Sequence, residues 1–298
     1  MAPRSPPPRR LLRHLLRAFA LCAALALSCA EDFEKQSFIS KLRVLAVQFE
    51  PAELIADPNA EPPKTRMTAL AVDPAGNPVG LRWALCTVQD PVPSPSIDCP
   101  GTQGFDLPVD NDGAGTLDFG KEPFRTVYNQ VLAGQGGIPA DQVKAQLAIG
   151  VPLIIGFSAR AGTQQFLGLT TVTIRSPDGA RPLNHNPAIA TLMAGSAPVA
   201  NDGSTQVPPG GTTQLTPIPA DGSHEPTDAG PEKLNYSFYA TGGEVKTLRS
   251  TDTTATGQAA DPSIEYVAPI AAGPVQLYVV VRDGRGGIGW LARSVQVR

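Results

Sequence analysis

The chain has 298 residues with 24 basic and 27 acidic side chains, which gives a formal charge of −3 at neutral pH. A mildly acidic chain has no electrostatic footprint for nucleic acid, so this class of partner is excluded. The 29 glycines and 31 prolines form about a fifth of the chain, above the globular average but below the range typical of disorder. This composition predicts many turns between short strands.

The first 28 residues form a basic segment followed by an apolar one. Residues 1–17 carry five arginines and no acidic residue, and residues 18–28 carry no charge. A bilayer span needs about 20 apolar residues, so this shorter pattern predicts a secretion signal. Removal of the signal would leave 19 basic and 27 acidic residues, a formal charge of −8.

The end of this segment, Leu25-Ala26-Leu27-Ser28-Cys29, resembles the lipobox of bacterial lipoproteins. The resemblance implies cleavage before Cys29, whose side chain and amino group would then carry the lipid that holds the protein at a membrane. By the same resemblance, Ala30 implies the outer membrane of a Gram-negative bacterium as the location in the cell envelope. The alternative is an ordinary secretion signal that is cut near Ala30 and gives Cys29 no role.

Two β-sandwich domains are predicted beyond a tether at residues 29–41. Short apolar runs alternate with turn signals such as Asp73-Pro74-Ala75-Gly76-Asn77, as expected for an all-β fold. The N-terminal sandwich is predicted at residues 42–176 and the C-terminal sandwich at residues 187–298. The segment 177–186 between them is predicted to be a linker.

One predicted strand carries the residue that we expect to fill the first core. Leu81, Trp83 and Leu85 share one face because side chains alternate along a strand. A buried tryptophan on this strand is what immunoglobulin-like sandwiches use to fill the space between their sheets. The alternative is that Trp83 is exposed and stacks on a ligand.

A disulfide is predicted between Cys86 and Cys99. Cys22 leaves with the signal and Cys29 takes the lipid, which leaves one pair of cysteines in an exported chain. No histidine or further cysteine lies near the pair to complete a metal site. Because Cys86 points away from the Trp83 face, the disulfide would hold a proline-rich loop on the outside of the sheet and contribute about 3 kcal/mol.

Residues 100–148 interrupt the strand pattern and are predicted to be an insertion in the first sandwich. Residues 106–120 are loop-like, and residues 124–132 fit either a short helix or a strand. The segment 139–147 is typical of a helix with proline near its start. Insertions on a rigid scaffold commonly carry the binding surface, so we expect the ligand to bind here. A hairpin of two long strands is predicted at 151–174.

The insertion contains the best candidate for a cation site. Asp110 and Asp112, with Asp106 and Asp118 nearby, cluster the oxygen ligands that Ca²⁺ prefers. However, Pro108 stands where an EF-hand loop has its first ligand, and Asn-Asp and Asp-Gly are ordinary turn formers. We therefore predict a turn, and assign no metal and no other cofactor.

Six apolar runs predict the strands of the C-terminal sandwich. On the fifth run, Val275, Leu277, Val279 and Val281 share one face. The predicted strands are Ala188–Leu192, Thr212–Ile218, Leu234–Ala240, Ser263–Val267, Pro274–Arg282 and Gly289–Val297.

Three short motifs in this half resemble PKD and related immunoglobulin-like domains of bacterial surface proteins. They are the strand Tyr236-Ser237-Phe238 with Thr241-Gly242-Gly243 after it, the turn Arg282-Asp283-Gly284-Arg285-Gly286-Gly287, and the lead-in Asn184-His185-Asn186-Pro187. The resemblance covers about 110 residues and implies a seven-strand sandwich without catalysis. The chain departs from these domains at Phe238, where they often have tryptophan, and at Val275, where they often have tyrosine.

The chain lacks the motifs of common enzymes. His14 leaves with the signal, His185 lies in the predicted linker, and His224 lies in a loop rich in proline and glycine. There is no G-x-S-x-G, H-E-x-x-H or P-loop motif, and no cysteine is left to act as a nucleophile. A glycosidase needs only two carboxylates, but nothing in the sequence selects such a pair.

These observations predict an all-β, non-enzymatic protein that a lipid anchors in the cell envelope. Its two tandem immunoglobulin-like, antiparallel β-sandwiches would bind an envelope protein or polysaccharide through the insertion. One alternative is a calcium- or carbohydrate-dependent surface adhesin. A second alternative is an envelope hydrolase that uses paired carboxylates.

Overall fold

The computed structural model describes residues 35–86, 99, 104–134, 139–178, 181–227, 230–254 and 256–298. The predicted signal segment and the lipid-attachment residue Cys29 lie outside these residues. Residues 36–298 form one compact unit.

Twenty strands and two short helices make up the regular structure of the described residues. The helices are α1 (Phe124–Ala133) and α2 (Ala140–Ile149). The strands are β1 (Arg43–Glu50), β2 (Glu53–Ile55), β3 (Lys64–Val72), β4 (Gly80–Cys86), β5 (Gly104–Asp106), β6 (Gly115–Asp118), β7 (Val151–Ala161), β8 (Gln164–Arg175), β9 (Ile189–Ala194), β10 (Ala197–Pro198), β11 (Gln206–Val207), β12 (Thr212–Pro219), β13 (Pro226–Thr227), β14 (Gly230–Pro231), β15 (Asn235–Ala240), β16 (Glu244–Val245), β17 (Arg249–Thr251), β18 (Ile264–Val267), β19 (Gly273–Arg282) and β20 (Ile288–Val297).

The first sandwich, called sandwich 1 here, comprises β1 to β8. A three-stranded sheet in the order β1–β3–β6 faces a five-stranded sheet in the order β2–β8–β7–β4–β5. Phe49 and Met67 from the smaller sheet pack against Trp83, Ile155 and Ile174 from the larger one. Trp83 is 2% exposed, which confirms its predicted place in the core.

The second sandwich, called sandwich 2 here, comprises β9 to β12 and β15 to β20. Its two sheets have the orders β10–β9–β12–β18–β16 and β11–β20–β19–β15–β17. Leu192 and Leu215 from the first sheet pack against Tyr236, Phe238 and Val279 from the second. The predicted fold class, an all-β chain with two antiparallel sandwiches, is confirmed.

Both sandwiches use the same immunoglobulin-like strand order. The strands β1, β3 and β6 correspond to β9, β12 and β18, and they form one sheet of each sandwich. The strands β4, β7 and β8 correspond to β15, β19 and β20, and they form the other sheet. In each sandwich one short strand joins the last strand in parallel: β2 pairs with β8, and β11 pairs with β20.

A third apolar cluster, called the seam here, joins the outer faces of two sheets. Leu45 and Val72 lie on the outer face of the β1–β3–β6 sheet. Val280 and Trp290 lie on the outer face of the β19–β20 pair and pack against them. At the edge of the seam, Arg282 Nη2 donates a hydrogen bond to the Leu45 carbonyl at 3.0 Å. The smaller sheet of sandwich 1 is therefore covered on both faces.

The last part of the predicted tether is built into the seam. Phe38 forms a parallel bridge with Ala240. The backbone N–H of Ile39 donates to the Ala240 carbonyl, and the N–H of Ala240 donates to the Ser37 carbonyl, both at 2.9 Å. Ile39 is fully buried. Ile39 packs in the seam, so these last residues of the predicted tether are bound to β15.

The predicted linker at 177–186 is bound to sandwich 1 through a buried carboxylate. Glu53 is 2% exposed and accepts hydrogen bonds from Arg175 Nε at 3.0 Å and from the backbone N–H of Asn184 at 3.1 Å. The guanidinium of Arg181 donates to the second oxygen of Glu53. Two arginines thus neutralise one buried acid, and the linker is held in place.

Two further contacts attach the linker to sandwich 2. Asn186 Oδ1 accepts from the Ile288 N–H of sandwich 2 at 3.0 Å, while its Nδ2 donates back to the Phe49 carbonyl of sandwich 1 at 2.7 Å. Arg285 Nη2 donates to the Pro182 carbonyl at 2.9 Å. The linker therefore has fixed partners on both sides, and the domain boundaries drawn from the sequence stay predictions.

The loop-like interpretation of residues 106–120 was wrong in part. Gly104–Asp106 is β5, which pairs with β4, and Gly115–Asp118 is β6, which pairs with β3. Strands of three or four residues rich in glycine and aspartate carry too little periodicity to be recognised. The helical part of the predicted insertion therefore lies between β6 and β7.

Candidate functional site

The two helices α1 and α2 cover one end of the core of sandwich 1. Phe124, Val127 and Tyr128 of α1 are buried, with the i, i+3, i+4 spacing of an amphipathic helix. Val143 and Leu147 of α2 are buried in the same cluster. The helix predicted at 139–147 is confirmed, and the ambiguous segment before it is also helical. The opposite faces of both helices are exposed.

A small cavity of about 220 Å³ lies between the helices and strands β4 and β7. Val131, Leu147 and Leu153 form its apolar walls, and Gln130 and Gln146 supply the polar groups. This volume is below the range of about 300–1,000 Å³ that is usual for small-molecule sites. The small cavity is therefore a poorer candidate than the larger one described next.

The larger cavity has a volume of about 480 Å³ and lies between α2, the segment after β2 and the segment after β8. Leu132, Val143 and Leu147 form its apolar floor. This volume falls in the usual range for small-molecule sites, which combine apolar walls with a few polar groups. The polar groups that line it are Asp57, Asn59, Lys144, Ser176 and Asp178.

One residue that lines the larger cavity, Ser176, has a buried polar atom without a partner in the described protein. Ser176 is 9% exposed, and its hydroxyl makes no hydrogen bond within the described residues. The neighbouring Asp57 uses Oδ1 to accept the backbone N–H of Asn59 at 2.8 Å. A buried hydroxyl without a partner costs free energy, and Ser176 places such a group in the wall of this cavity.

Tyr128 of α1 is close enough to Asp57, a residue that lines the cavity, to be influenced by its charge. Its hydroxyl is buried and makes no hydrogen bond within the described residues. Burial, together with the negative charge of Asp57, raises the pKa of Tyr128 above its ordinary value. The phenol therefore stays neutral at physiological pH and offers a hydrogen-bond donor at this end of the core.

No motif in the sequence marks this cavity. Its polar residues come from two turns, Asp57-Pro58-Asn59 and Ser176-Pro177-Asp178, and from Lys144 on α2. Turn residues of this kind are common in any β protein, and only the fold brings the two turns together. The helix α2, which lines this cavity, belongs to the predicted insertion, and binding by the insertion stays a prediction.

The aspartate-rich segment forms a turn that supports the core. Asp110 Oδ1 accepts the N–H groups of Asp112 at 3.0 Å and Ala114 at 2.9 Å, and Oδ2 accepts Arg66 Nη2 at 2.6 Å. Hydrogen bonding from Arg66 and the backbone lowers the pKa of Asp110. Within the turn, Gly113 has φ +80° and its carbonyl accepts the Trp83 indole N–H at 3.0 Å.

Both oxygens of Asp110 are thus occupied by the protein itself. In the described ranges there is no group of three or more His, Cys, Asp or Glu residues placed to hold a metal ion. The geometry around Asp110 and Asp112 is that of a β-turn closed by an aspartate side chain.

The predicted disulfide is present. Cys86 and Cys99 are bonded, with their Cα atoms 5.2 Å apart. Both cysteines pack with Ala84 and Ile154 in a small cluster that is separate from the main core. This places the bond on the outer face of the larger sheet, as the strand alternation predicted. The intervening residues 87–98 lie outside the described residues.

Two carboxylates with raised pKa values lie near the linker rather than in a cavity. Burial raises the pKa of Asp283, whose Oδ1 accepts the N–H groups of Arg285 and Gly287 at 2.7 and 3.0 Å. Burial and the nearby Asp283 raise the pKa of Glu232, which accepts Arg285 Nη1 at 2.7 Å. Neither residue lines the two cavities, and both contact the turn at 283–287, Asp283 through backbone N–H groups and Glu232 through Arg285.

The two histidines of the described chain also lie outside the cavities. The His185 ring pairs with Glu225 and is 74% exposed. His224 Nδ1 lies 3.0 Å from the Glu232 carbonyl, and its Nε2 lies 3.2 Å from Asp252 Oδ2. Both ring nitrogens of His224 are therefore engaged, and neither is directed at a serine hydroxyl as nucleophilic catalysis would require.

Cys29, the predicted lipid-attachment residue, lies outside the residues that the structure describes. Of the helices described, none has the length and hydropathy needed to cross a membrane.

No family model matches the chain. No curated protein matches it either. Among solved structures, the D00-D0 domain of intimin shares 10% identity, with 85% of this chain and 100% of that chain covered and a TM-score of 0.25. The Yersinia pseudotuberculosis adhesin InvE shares 15% identity, with 85% and 58% covered and a TM-score of 0.22.

A nucleoside hydrolase-related protein from Saccharophagus degradans shares 18% identity, with 39% of this chain covered and a TM-score of 0.21. This chain spans only 26% of that protein's length. At such TM-scores these similarities assign neither a function nor a ligand to the chain.

Proposed function

We propose that the chain is a non-enzymatic protein of the cell envelope that a lipid on Cys29 holds at the outer membrane. Its larger cavity, between α2 and the two turns, would bind a polar ligand of the envelope. The observation that carries the proposal is the combination of an apolar floor, a polar rim and the unpartnered Ser176 hydroxyl in a cavity of about 480 Å³.

The rim of this cavity favours a ligand with many hydroxyl groups. Asp57 and Asp178 offer hydrogen-bond acceptors, Lys144 offers donors, and Asn59 offers both. This mixture fits sugar hydroxyls, which donate and accept in turn, better than an ion of one sign. An envelope polysaccharide is therefore the ligand class we propose.

Binding fits the cavity better than catalysis does. A carboxylate-based hydrolase needs a general acid whose pKa is raised by burial. Asp178 is exposed to solvent, and Asp57 is held by its own turn through Asn59. The alternative of a calcium-dependent adhesin has no support from Asp110, whose two oxygens are occupied by the protein.

The test is to measure affinity for a panel of purified envelope polysaccharides by titration calorimetry with the whole chain. Lys144→Glu changes the charge on the rim of the cavity, and Arg125→Glu makes the same change on the exposed surface of α1. We expect binding of at least one polysaccharide, weakened by Lys144→Glu and unchanged by Arg125→Glu. Absence of binding, equal effects of both variants, or release of new reducing ends would contradict the proposal.

A further inference from the structure

The strand β8 (Gln164–Arg175) has one long edge without a neighbouring strand. Along its whole length β8 pairs with β7 on one side. On the other side β2 covers only Thr173–Arg175. In the described part of the chain, no other strand pairs with Gln165–Val172. These eight residues therefore present one row of backbone N–H and C=O groups that no strand satisfies.

The equivalent strand of sandwich 2 is bonded at both ends of this edge, with residues 289–295 between them. At one end of β20, the Ile288 N–H donates to Asn186 Oδ1, and the Ile288 carbonyl accepts Gln48 Nε2 at 2.6 Å. At the other end β11 pairs with β20, and the Gln296 N–H donates to the Thr205 carbonyl at 2.8 Å. The chain thus bonds both ends of the β20 edge, whereas β2 covers only one end of the β8 edge.

The open edge also lacks the residues that usually protect an edge strand. Proteins blunt such edges with charged side chains, proline or bulges. The segment 164–174 contains no charged residue and no proline, and its pairing with β7 runs without a bulge. Leu169 is 48% exposed, which makes it one of the more exposed large apolar residues of the described chain.

The direction of the side chains follows from Gly168. A Cβ on this glycine would collide with the ring of Phe157, so position 168 faces the core. Because side chains alternate, Leu167 and Leu169 lie on the outer face of the sheet. The outer face of the open edge is therefore apolar at its centre.

We propose that this edge pairs antiparallel with β8 of a second copy of the chain. The two-fold axis would pass through Gly168, so that Leu167 of each copy lies opposite Leu169 of the other. The two five-stranded sheets would then form one continuous sheet. A two-fold interface requires a patch that is complementary to itself, and an uncharged strand with one leucine on each side of its centre meets that requirement.

This register also gives the most favourable cross-strand pairs. Directly opposed residues in an antiparallel pair share a face, and apolar pairs there contribute about 0.2–1 kcal/mol each. The two Leu167–Leu169 pairs would cover the leucines that are exposed in the single copy. No like charges face each other across the axis because the segment carries none.

The first test is the mass of the whole chain in detergent solution, measured by light scattering over a range of concentrations. We expect a reversible dimer. Leu169→Lys should raise its dissociation constant by at least about tenfold, equivalent to about 1.4 kcal/mol. Ile218→Lys, which changes an aliphatic residue of similar exposure on β12, should leave the constant unchanged.

The second test does not depend on the stability of a lysine variant. In the double variant Leu167→Cys with Leu169→Cys, each new thiol lies opposite one from the other copy, within reach of a disulfide. We expect mild oxidation to give a covalent dimer at this site, and the two single variants to cross-link much more slowly. A chain that stays monomeric at all concentrations, a dimer that Leu169→Lys leaves intact, or equal cross-linking of single and double variants would overturn the proposal.

Discussion

The two sandwiches share one strand order but differ in what they leave open. Sandwich 2 buries the outer face of its β19–β20 pair in the seam and has both ends of its last strand bonded. Sandwich 1 leaves the corresponding strand β8 with an open edge and adds α1 and α2 between β6 and β7. The open edge and the cavity both belong to sandwich 1. If the proposed ligand site and the proposed dimer are both correct, sandwich 1 carries the recognition surfaces and sandwich 2 supports it.

The largest expected effect comes from the buried carboxylate that attaches the linker to sandwich 1. Glu53→Gln removes the charge that neutralises Arg175, which is itself 2% exposed. Breaking a buried ion pair on one side costs about 3–5 kcal/mol, so we expect a loss of that size in the free energy of unfolding. Urea denaturation measures it.

The control is Arg66→Met, which breaks the exposed pair with Asp110 and should cost at most about 1 kcal/mol. If both variants lose the same small amount of unfolding free energy, the buried ion pair does not hold the linker.

The next effect concerns the seam and tests whether the two sandwiches unfold together. Leu45 is 6% exposed in the seam, and Leu45→Ala should cost about 2–5 kcal/mol. We expect the native chain to unfold in one calorimetric transition. Because the seam is the main apolar contact between the sandwiches, the transition of the Leu45→Ala variant should be broader or split. Ile270→Ala, at a position that is 87% exposed, should change stability by no more than about 0.5 kcal/mol. A sharp, single transition in the Leu45 variant would contradict this view of the seam.

A smaller effect is expected from the buried carboxylate of sandwich 2. Burial raises the pKa of Asp283, so the folded state binds its proton more tightly than the unfolded state does. The contribution of Asp283 to the free energy of unfolding is complete below about pH 4, the ordinary pKa of an aspartate. It is lost as the pH rises through the raised pKa of the folded state. Asp283→Asn keeps an oxygen for the turn N–H groups and should remove the part of this dependence that Asp283 contributes, leaving that of Glu232.

The measurement is the urea midpoint of both proteins between pH 4 and pH 7. Each unit of difference in pKa is worth about 1.4 kcal/mol. Asp221→Asn, which changes an exposed carboxylate, should leave the pH profile of the native chain unaltered. If the urea midpoint of Asp283→Asn changes with pH as that of the native chain does, the Asp283 carboxylate is not the cause of the pH dependence.

The smallest expected effect compares one tyrosine from each core. Tyr128 in sandwich 1 buries a hydroxyl that makes no hydrogen bond within the described chain, whereas Tyr236 in sandwich 2 donates to Asp252 Oδ2 at 3.2 Å. Tyr128→Phe should be neutral or stabilising by up to about 1 kcal/mol. Tyr236→Phe should be destabilising, because it leaves the carboxylate without this donor. Equal losses in thermal denaturation would mean that the Tyr128 hydroxyl has a partner after all.

The longer strands could be predicted from the sequence because their pattern is local. Alternation gave the core position of Trp83, and the disulfide between Cys86 and Cys99 followed from counting the cysteines of a chain predicted to be exported. The long hairpin of β7 and β8 and the helix α2 were also predicted. For the strands and the helix, the pattern of neighbouring residues alone was enough for the prediction.

The seam and the cavity could not be predicted because their residues are distant in sequence. Side-chain alternation on β19 predicted which face of the strand points to the core. Tyr278 and Val280 on the opposite face are also apolar, which indicates that the opposite face is covered as well. On the other side of the seam, the apolar pair Phe38-Ile39 in an otherwise polar segment indicated burial in the same way. For the cavity, only the fold brings Asp57 close to Ser176.

The central claim is that this molecule works at a membrane surface, and the intact mass of the protein taken from bacterial membranes tests it most directly. The account predicts loss of residues 1–28 and an added mass on Cys29 that corresponds to two or three acyl chains. Cleavage after Ala30, or a mature chain without lipid, would contradict it and would make the protein a secreted one.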